Sequence, residues 1–171
     1  MIKKILQNFK NALISLYNYI FNKKVGIVVE TEADHLIDLE LANENDSTMS
    51  DQVFIEINKY RTSNGMNAVK KGNQYSYAYA VRHTKYMIEN KKINHDDFGL
   101  RSRGLKFRGA KRVGEIVAYG YSEAESVVYA WLHSPGHKAI IDGDYTHTGF
   151  GIMKDDRGTY YFTELFYHDN S

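Results

Sequence analysis

Apolar residues recur three and four positions apart in four stretches of the chain, which is the spacing of amphipathic helices. The pattern predicts helices over residues 1–24, 51–62, 74–90 and 122–133. Ser50 is the expected N-cap of the second helix, because its hydroxyl can accept a hydrogen bond from an unpaired N–H of the first turn. Ser122, with Glu125 three residues later, has the spacing of a capping box and predicts the start of the last helix.

Apolar and polar residues alternate near the C-terminal end, which predicts two strands over residues 147–153 and 159–167. The residues between them, 155–158, are typical of a hairpin turn. Residues 25–29 favour a short strand, whereas residues 91–112 show no clear periodicity and are predicted to be irregular. Helices followed by an antiparallel hairpin indicate an α+β fold rather than alternating βαβ units.

Charge divides the chain into three parts. Residues 1–24 carry lysines and no acid, whereas residues 25–49 carry acids and neither Lys nor Arg. We therefore predict an amphipathic helical segment at 1–24, an acidic linker at 25–49 and the main domain at 50–171. The helix fits packing on the domain or on a partner chain, docking on a membrane surface, or an atypical export signal. No clear signal-peptide cleavage site follows it.

The composition is that of an ordinary globular chain of 171 residues, 43% hydrophobic and 25% charged. The net charge of +1 provides no overall field that would attract a nucleic acid. The chain has no cysteine, so neither disulfides nor thiolate metal ligands contribute. Chemistry that depends on a thiol is therefore excluded.

Basic residues cluster between positions 101 and 112, interrupted by two glycines. The cluster fits either a solvated loop or a surface for an anionic partner, such as a phosphate, a lipid headgroup or an acidic glycan. No signature of a DNA- or RNA-binding fold accompanies it, so a nucleic acid is the weakest of these partners. The residues are Arg101, Arg103, Lys106, Arg108, Lys111 and Arg112.

Pro135 is the only proline of the chain, and it follows the last predicted helix directly. Proline ends a helix because it lacks an N–H and its ring clashes with the preceding turn. Gly136 then allows a sharp change of direction, so we expect a tight turn that presents His137. Ser134, just before the proline, is the nearest candidate nucleophile, although no nucleophile-elbow motif surrounds it.

His95, Glu115 and His137 are the strongest candidates for chemistry, because each lies beside residues that interrupt regular structure. Two imidazoles and a carboxylate are ligand types of an open zinc site. The same groups also suit general acid–base chemistry. Gly149 and Gly151 lie on one face of a predicted strand, where missing side chains permit the close approach of either a ligand or a packed helix.

Several motifs follow one another in order along residues 53–167. They are Asn58-Lys59-Tyr60-Arg61 with Gly65, the helix from Ala78 to Met87, Asn94-His95-Asp96, Gly114-Glu115-Ile116-Val117-Ala118, Val127 to Trp131 with Ser134-Pro135-Gly136-His137, and the stretches Gly149 to Gly151 and Tyr160 to Phe166. In this order they resemble the CAP superfamily of cysteine-rich secretory proteins, insect venom antigens and plant pathogenesis-related proteins. The cysteine-free chain is more similar to the bacterial branch than to the eukaryotic one.

The resemblance implies a three-layer α-β-α sandwich with a central antiparallel sheet and one open cleft. It also implies an extracellular or cell-envelope protein of bacterial or phage origin. In the family, two histidines and two glutamates face the cleft and bind zinc or another divalent cation in some members. His95, Glu115 and His137 match three of the four, whereas Ser134 stands where eukaryotic members have the second glutamate. The resemblance therefore implies an incomplete Zn²⁺ site.

Three functions are compatible with the sequence. The first is a binding or interaction module whose cleft takes a divalent cation, a lipid, a glycan or a protein partner, without catalytic activity. The second is a hydrolase of peptide or cell-envelope material, with His95 or His137 as general base and Glu115 orienting it. The third is a structural component of a secreted or virion-associated assembly, docked through the helix at residues 1–24.

Overall fold

Four strands form the sheet of the described part of the chain. The structure is a computed structural model that describes residues 37–169. The strands are β1 (Lys70–Lys71), β2 (Arg112–Tyr119), β3 (His147–Lys154) and β4 (Tyr160–His168). Their order is β1-β3-β4-β2, with β4 antiparallel to both β3 and β2, and with β1 parallel to β3. The predicted C-terminal hairpin is confirmed, and each strand is displaced from its predicted ends by one residue at most.

The helices predicted over residues 51–62, 74–90 and 122–133 are confirmed. The second has the predicted ends, whereas the ends of the other two are shifted. The helices are a 3₁₀-helix (Leu39–Glu44), α1 (Ser47–Ser63), α2 (Gln74–Asn90), α3 (Phe98–Phe107), α4 (Ala124–Leu132) and α5 (Pro135–Ile141). The 3₁₀-helix and the start of α1 fall within the range predicted as an acidic linker. The helix predicted at 1–24 and the strand predicted at 25–29 lie outside the described residues.

The sheet lies between two layers of helices, as the resemblance to the CAP fold implies. On one face, Ile116, Phe162 and Phe166 pack with apolar residues of α1, α4 and α5. On the opposite face, Leu165 and Tyr167 pack with α2 and α3. Both faces are buried because β4 alternates between two hydrophobic layers rather than between a core and solvent.

The expectation that residues 91–112 are irregular is wrong, because α3 occupies Phe98–Phe107 and β2 begins at Arg112. The inward positions of α3 are Arg101, Gly104 and Leu105, which have the correct helical spacing. Two of these three are not hydrophobic, so the apolar periodicity that marks a helix is missing. The helix is stabilised instead by an ion pair at Arg101 and by close packing at Gly104.

Both predicted helix caps are wrong. Asp46 is the N-cap of α1, where its Oδ1 accepts a hydrogen bond from the N–H of Met49 at 2.9 Å. Ser50 lies inside the helix and is buried. Glu123 is the N-cap of α4 and makes no side-chain cap hydrogen bond, so the capping box predicted from Ser122 is not formed.

Gly149 and Gly151 of β3 serve helix packing. A Cβ atom at Gly149 would lie under 3.0 Å from the side chain of Ser76, and one at Gly151 would lie under 3.0 Å from the backbone of Ala80. Ser76 and Ala80 belong to α2, so the two missing side chains let α2 approach the sheet. Of the two interpretations of this glycine pair, the packed helix is the correct one.

Candidate functional site

A corner between α4 and α5 positions His137. Helix α4 ends at Leu132 and Pro135 is the first residue of α5, a position where the missing N–H costs no hydrogen bond. The proline therefore ends one helix, as predicted, but it also begins the next. The expectation of a tight turn is wrong, because His137 lies in the first turn of α5, where it is half-buried.

His95 and Glu115 are in direct contact. The Nδ1 of His95 lies 2.9 Å from Oε1 of Glu115, which is on β2. The His95 side chain is 48% exposed, whereas that of Glu115 is 1% exposed. Because the carboxylate is an acceptor, Nδ1 carries the proton of this bond, which leaves Nε2 as the ring nitrogen that does not contact Glu115.

Arg101 of α3 holds the same carboxylate from inside the protein. Its Nε donates to Oε2 of Glu115 at 2.6 Å, and its Nη2 donates to Oε1 at 2.7 Å. Both side chains are almost fully buried, so this is a bidentate ion pair shielded from water. The sequence interpretation placed Arg101 in a basic surface cluster, and this placement is wrong for that residue.

The loop that carries His95 is tied to the protein on both sides of the histidine. The Nε2 of His83, a buried residue of α2, donates to the carbonyl of Asn94 at 2.8 Å. The Nη1 of Arg101 donates to the carbonyl of Asp96 at 2.7 Å. These two hydrogen bonds fix the backbone immediately before and after His95.

Burial and the neighbouring charges shift the pKa values of three groups in this cluster. Burial lowers the pKa of His83, and the positive charge of Arg101 lowers it further. Burial also lowers the pKa of His137, and His95 is near enough to contribute to that decrease. Burial alone would raise the pKa of Glu115, but hydrogen bonds from His95 and Arg101 outweigh it, so this pKa is lowered. The cluster thus favours neutral His83 and His137 and a charged Glu115.

A cavity of about 330 Å³ opens beside His137. Its lining residues are Ile93, Val117, Ala118, Tyr119, Tyr121, Ala130, Trp131, Ser134 and His137. Among these lining residues there is neither an acid nor a Lys or Arg. Ser134 and His137 provide polar groups, while aromatic and aliphatic side chains form most of the wall.

The predicted zinc ligands do not form a ready metal site. Within residues 37–169, no group of three or more His, Asp or Glu side chains is arranged to hold a metal ion. The carboxylate oxygens of Glu115 are already occupied by hydrogen bonds. Oε1 accepts from His95 and Arg101, and Oε2 accepts from Arg101. A metal ion at Glu115 would have to approach a buried carboxylate against the charge of a guanidinium. The residues present therefore do not fit a resident divalent cation.

The rest of the basic cluster does not form a solvated loop either. Two of the other five residues, Arg103 and Lys106, belong to α3. The guanidinium of Arg108 lies 3.9 Å from the centre of the Tyr75 ring. Arg108 Nη1 also donates to the carbonyl of Gly104 at 2.9 Å. Binding of an anionic partner by this region stays a prediction.

Sequence reasoning missed the roles of Arg101 and His83. Arg101 occupies an inward position of a helix that shows no apolar periodicity, so nothing in the pattern separated it from its basic neighbours. His83 does lie on the buried face of the predicted helix 74–90, four residues before the core residue Met87. A histidine on an apolar face usually has a hydrogen-bond partner, and that signal could have indicated its role.

Comparison with known proteins gives one family. A sequence model of the Cysteine-rich secretory protein family, CAP, matches residues 54–166. An uncharacterized membrane protein of Bacillus subtilis, YlbC, is 32% identical over 127 residues, which are 70% of this chain and 34% of that protein. A second B. subtilis protein, the uncharacterized YkwD, is 38% identical over 56 residues, 32% of this chain and 21% of that protein. This chain thus spans about a third of the length of the first relative and about a fifth of the second.

Solved structures share the fold. An outer surface protein from Borrelia burgdorferi superimposes with a TM-score of 0.64 at 25% identity, over 74% of this chain and 96% of that one. An extracellular protein of Bacillus anthracis that contains an SCP domain gives a TM-score of 0.62 at 23% identity, over 78% of this chain and 44% of that one. Among residues 37–169, no helix has the length and apolar content needed to span a membrane.

Proposed function

Because this chain belongs to the cysteine-rich secretory protein family, CAP, we propose that it is a binding module whose cleft takes an uncharged glycan of the cell envelope. The observation that carries the proposal is the cavity beside His137, which combines aromatic walls with the polar groups of Ser134 and His137 and has no charged lining residue. Pockets of this kind bind small ligands by apolar contact and use a few polar groups for orientation.

The walls of the cavity favour sugar rings. Tyr119 is 55% exposed, and its ring lies 5.6 Å from that of Tyr161, which supports it from the sheet. An exposed aromatic face can pack against the apolar face of a sugar ring, while the phenol remains available for a hydrogen bond. Sugar hydroxyls also need partners, and the hydroxyl of Ser134 and the imidazole of His137 both line the cavity.

The absence of charge at the cavity surface argues for a neutral ligand. Glu115 and Arg101, the charged pair beside His95, are both buried and are bound to each other. Neither charge is left to attract an ion from solution. An acidic lipid headgroup or a divalent cation would therefore meet no opposite charge in the cavity wall.

A hydrolase is the second candidate, and the hydrogen bond between His95 and Glu115 favours it. This bond would orient the imidazole as a general base. Within the described residues, however, neither His95 nor His137 accepts a hydrogen bond from the hydroxyl of Ser134. A nucleophile activated by a base is thus not assembled, and we therefore favour binding without turnover.

The described locations of two structural relatives support a function outside the cell. The Borrelia protein is described as an outer surface protein and the B. anthracis protein as extracellular. A cell-envelope glycan is a ligand that proteins in those places encounter. An assembly role for residues 1–24 stays a prediction, since they lie outside the described residues.

Calorimetric titration with a neutral N-acetylglucosamine tetramer tests the proposal. We expect saturable binding by the wild type and a Kd raised at least about tenfold, or 1.4 kcal/mol, in Tyr119→Ala and His137→Ala. Tyr129→Ala is the matched control, because Tyr129 is an exposed tyrosine of α4 that does not line the cavity. Binding of palmitate or zinc in place of the tetramer would contradict the proposal. If the wild type instead shortened the tetramer during the titration, and His95→Ala did not, the protein would be a hydrolase.

A further inference from the structure

We propose that Arg101 is a built-in cation that fixes the pair of His95 and Glu115, so that the pair keeps its arrangement without a divalent metal ion. This role of Arg101 does not depend on which ligand the cleft binds. Its basis is the set of contacts that Arg101 makes with one side chain and one backbone group.

All three guanidinium nitrogens of Arg101 are engaged. Nε and Nη2 hold the two oxygens of Glu115 at 2.6 and 2.7 Å, and Nη1 holds the carbonyl of Asp96 at 2.7 Å. Guanidinium is planar and presents its donors in a fixed fork, so these contacts fix the carboxylate relative to the loop. A lysine in the same place would keep the charge but would lose the fork.

Arg101 thereby acts on His95 by two routes. Through the side chain, it orients the carboxylate whose Oε1 accepts from Nδ1 of His95 at 2.9 Å. Through the backbone, it holds the carbonyl of Asp96, the residue that follows His95. The two routes together select the Nδ1–H tautomer and direct the free Nε2 away from Glu115. Arg101 is thus a positioning residue, since it acts through His95.

The charge balance of the cluster favours this cation over a metal ion. One guanidinium neutralises one carboxylate in a place where both side chains are buried, 3% exposed for Arg101 and 1% for Glu115. A divalent ion bound by the same carboxylate would leave excess positive charge beside the guanidinium, in surroundings that shield it poorly. His83 and His137 add no anion to offset that charge.

Zinc titration of the wild type and of Arg101→Gln provides the first test, read by calorimetry and by the thermal midpoint. We expect no zinc-dependent heat or shift in the wild type. In Arg101→Gln we expect zinc binding to become measurable, with an affinity at least about tenfold above the limit set by the wild type, the size typical of a changed partner around a metal ligand. That gain should disappear when His95→Ala is added to Arg101→Gln. Zinc binding by the wild type that is lost in His95→Ala would overturn the proposal.

Histidine nitrogen NMR of the full chain provides the second test, and it remains decisive if Arg101→Gln does not fold. The wild type should show His95 as the Nδ1–H tautomer, with its signals unchanged by zinc. Arg101→Lys should shift the His95 nitrogen signals toward a mixture of tautomers, while those of the remote His147 stay in place. Arg103→Lys, an exposed arginine of the same helix, is the matched control and should leave His95 unchanged. A His95 tautomer that is identical in the wild type and in Arg101→Lys would overturn the proposal.

Discussion

Thr148 of β3 donates a hydrogen bond of 2.8 Å to Oε1 of Glu164, a carboxyl group of β4 that is fully buried. Within the described residues, Oε2 of Glu164 has no hydrogen-bond partner. Glu164 faces the layer of α1, α4 and α5, because it pairs across the sheet with Ile116 and Phe150. A carboxyl group in this apolar layer is costly in its charged form.

Glu164 makes the protein less stable as the pH rises. Burial raises its pKa well above the ordinary value of 4.5, and the hydrogen bond from Thr148 and the positive charge of Arg61 only partly oppose this. Between the unfolded and the folded pKa the folded state holds a proton that the unfolded state has lost. The free energy of unfolding therefore falls with rising pH, by up to about 1.4 kcal/mol per pH unit from this group.

Urea denaturation across a pH series measures this effect, with Glu164→Gln as the test variant. In the variant, the free energy of unfolding should no longer fall with rising pH by the amount that Glu164 contributes, because glutamine does not titrate. Thr148→Val is the matched control, since it removes the hydrogen bond but leaves the carboxyl group. It should be less stable by about 1 kcal/mol or more and should keep the slope. An identical slope in the wild type and in Glu164→Gln would exclude this role of Glu164.

Gly151 should tolerate no side chain. A Cβ atom there would collide with the backbone of Ala80, which cannot move aside as a flexible side chain can. We expect Gly151→Ala to lower the free energy of unfolding by about 3 kcal/mol. Gly136→Ala is the matched control, because its Cβ would meet no atom within 4 Å and the residue lies in α5. That variant should gain about 0.5 kcal/mol, as is typical of Gly replaced by Ala in a helix.

The sequence predicted the elements with strong periodicity and missed those without it. Helix α2 has the predicted ends because its apolar stripe is continuous, and the C-terminal hairpin follows from strict alternation. Helix α3 was missed because Arg101 and Gly104 occupy its buried positions, where the helical signal needs apolar residues. The pairing of His95 with Glu115 depends on contacts between distant segments. The sequence therefore indicated both residues as candidates, but it could not predict that they are in contact.

Removing the charge of Glu115 should destabilise the fold strongly. Glu115→Gln leaves the buried guanidinium of Arg101 without its counter-charge, which costs about 3 kcal/mol or more. Glu89→Gln is the matched control, because Glu89 is exposed. Chemical denaturation at neutral pH measures both variants.

The same pair sets the acid dependence of stability. Hydrogen bonds and the charge of Arg101 lower the pKa of Glu115 below its ordinary value of 4.5. Stabilisation by Glu115 is therefore complete above that value and is lost as the pH falls through the lowered pKa. The advantage of the wild type over Glu115→Gln should shrink below pH 4.5. A constant difference down to the most acid pH at which both proteins fold would contradict this account.

The fluorescence of Trp131 tests the central claim, glycan binding in the cleft, most directly. Trp131 is the only tryptophan of the chain, it lines the cavity, and its indole N–H donates to the carbonyl of Val117 at 3.1 Å. Titration with the neutral N-acetylglucosamine tetramer should change this emission with saturation in the wild type and in Tyr129→Ala, and much less in Tyr119→Ala. Emission that does not respond to the tetramer, or that responds equally in Tyr119→Ala, would contradict binding in the cleft.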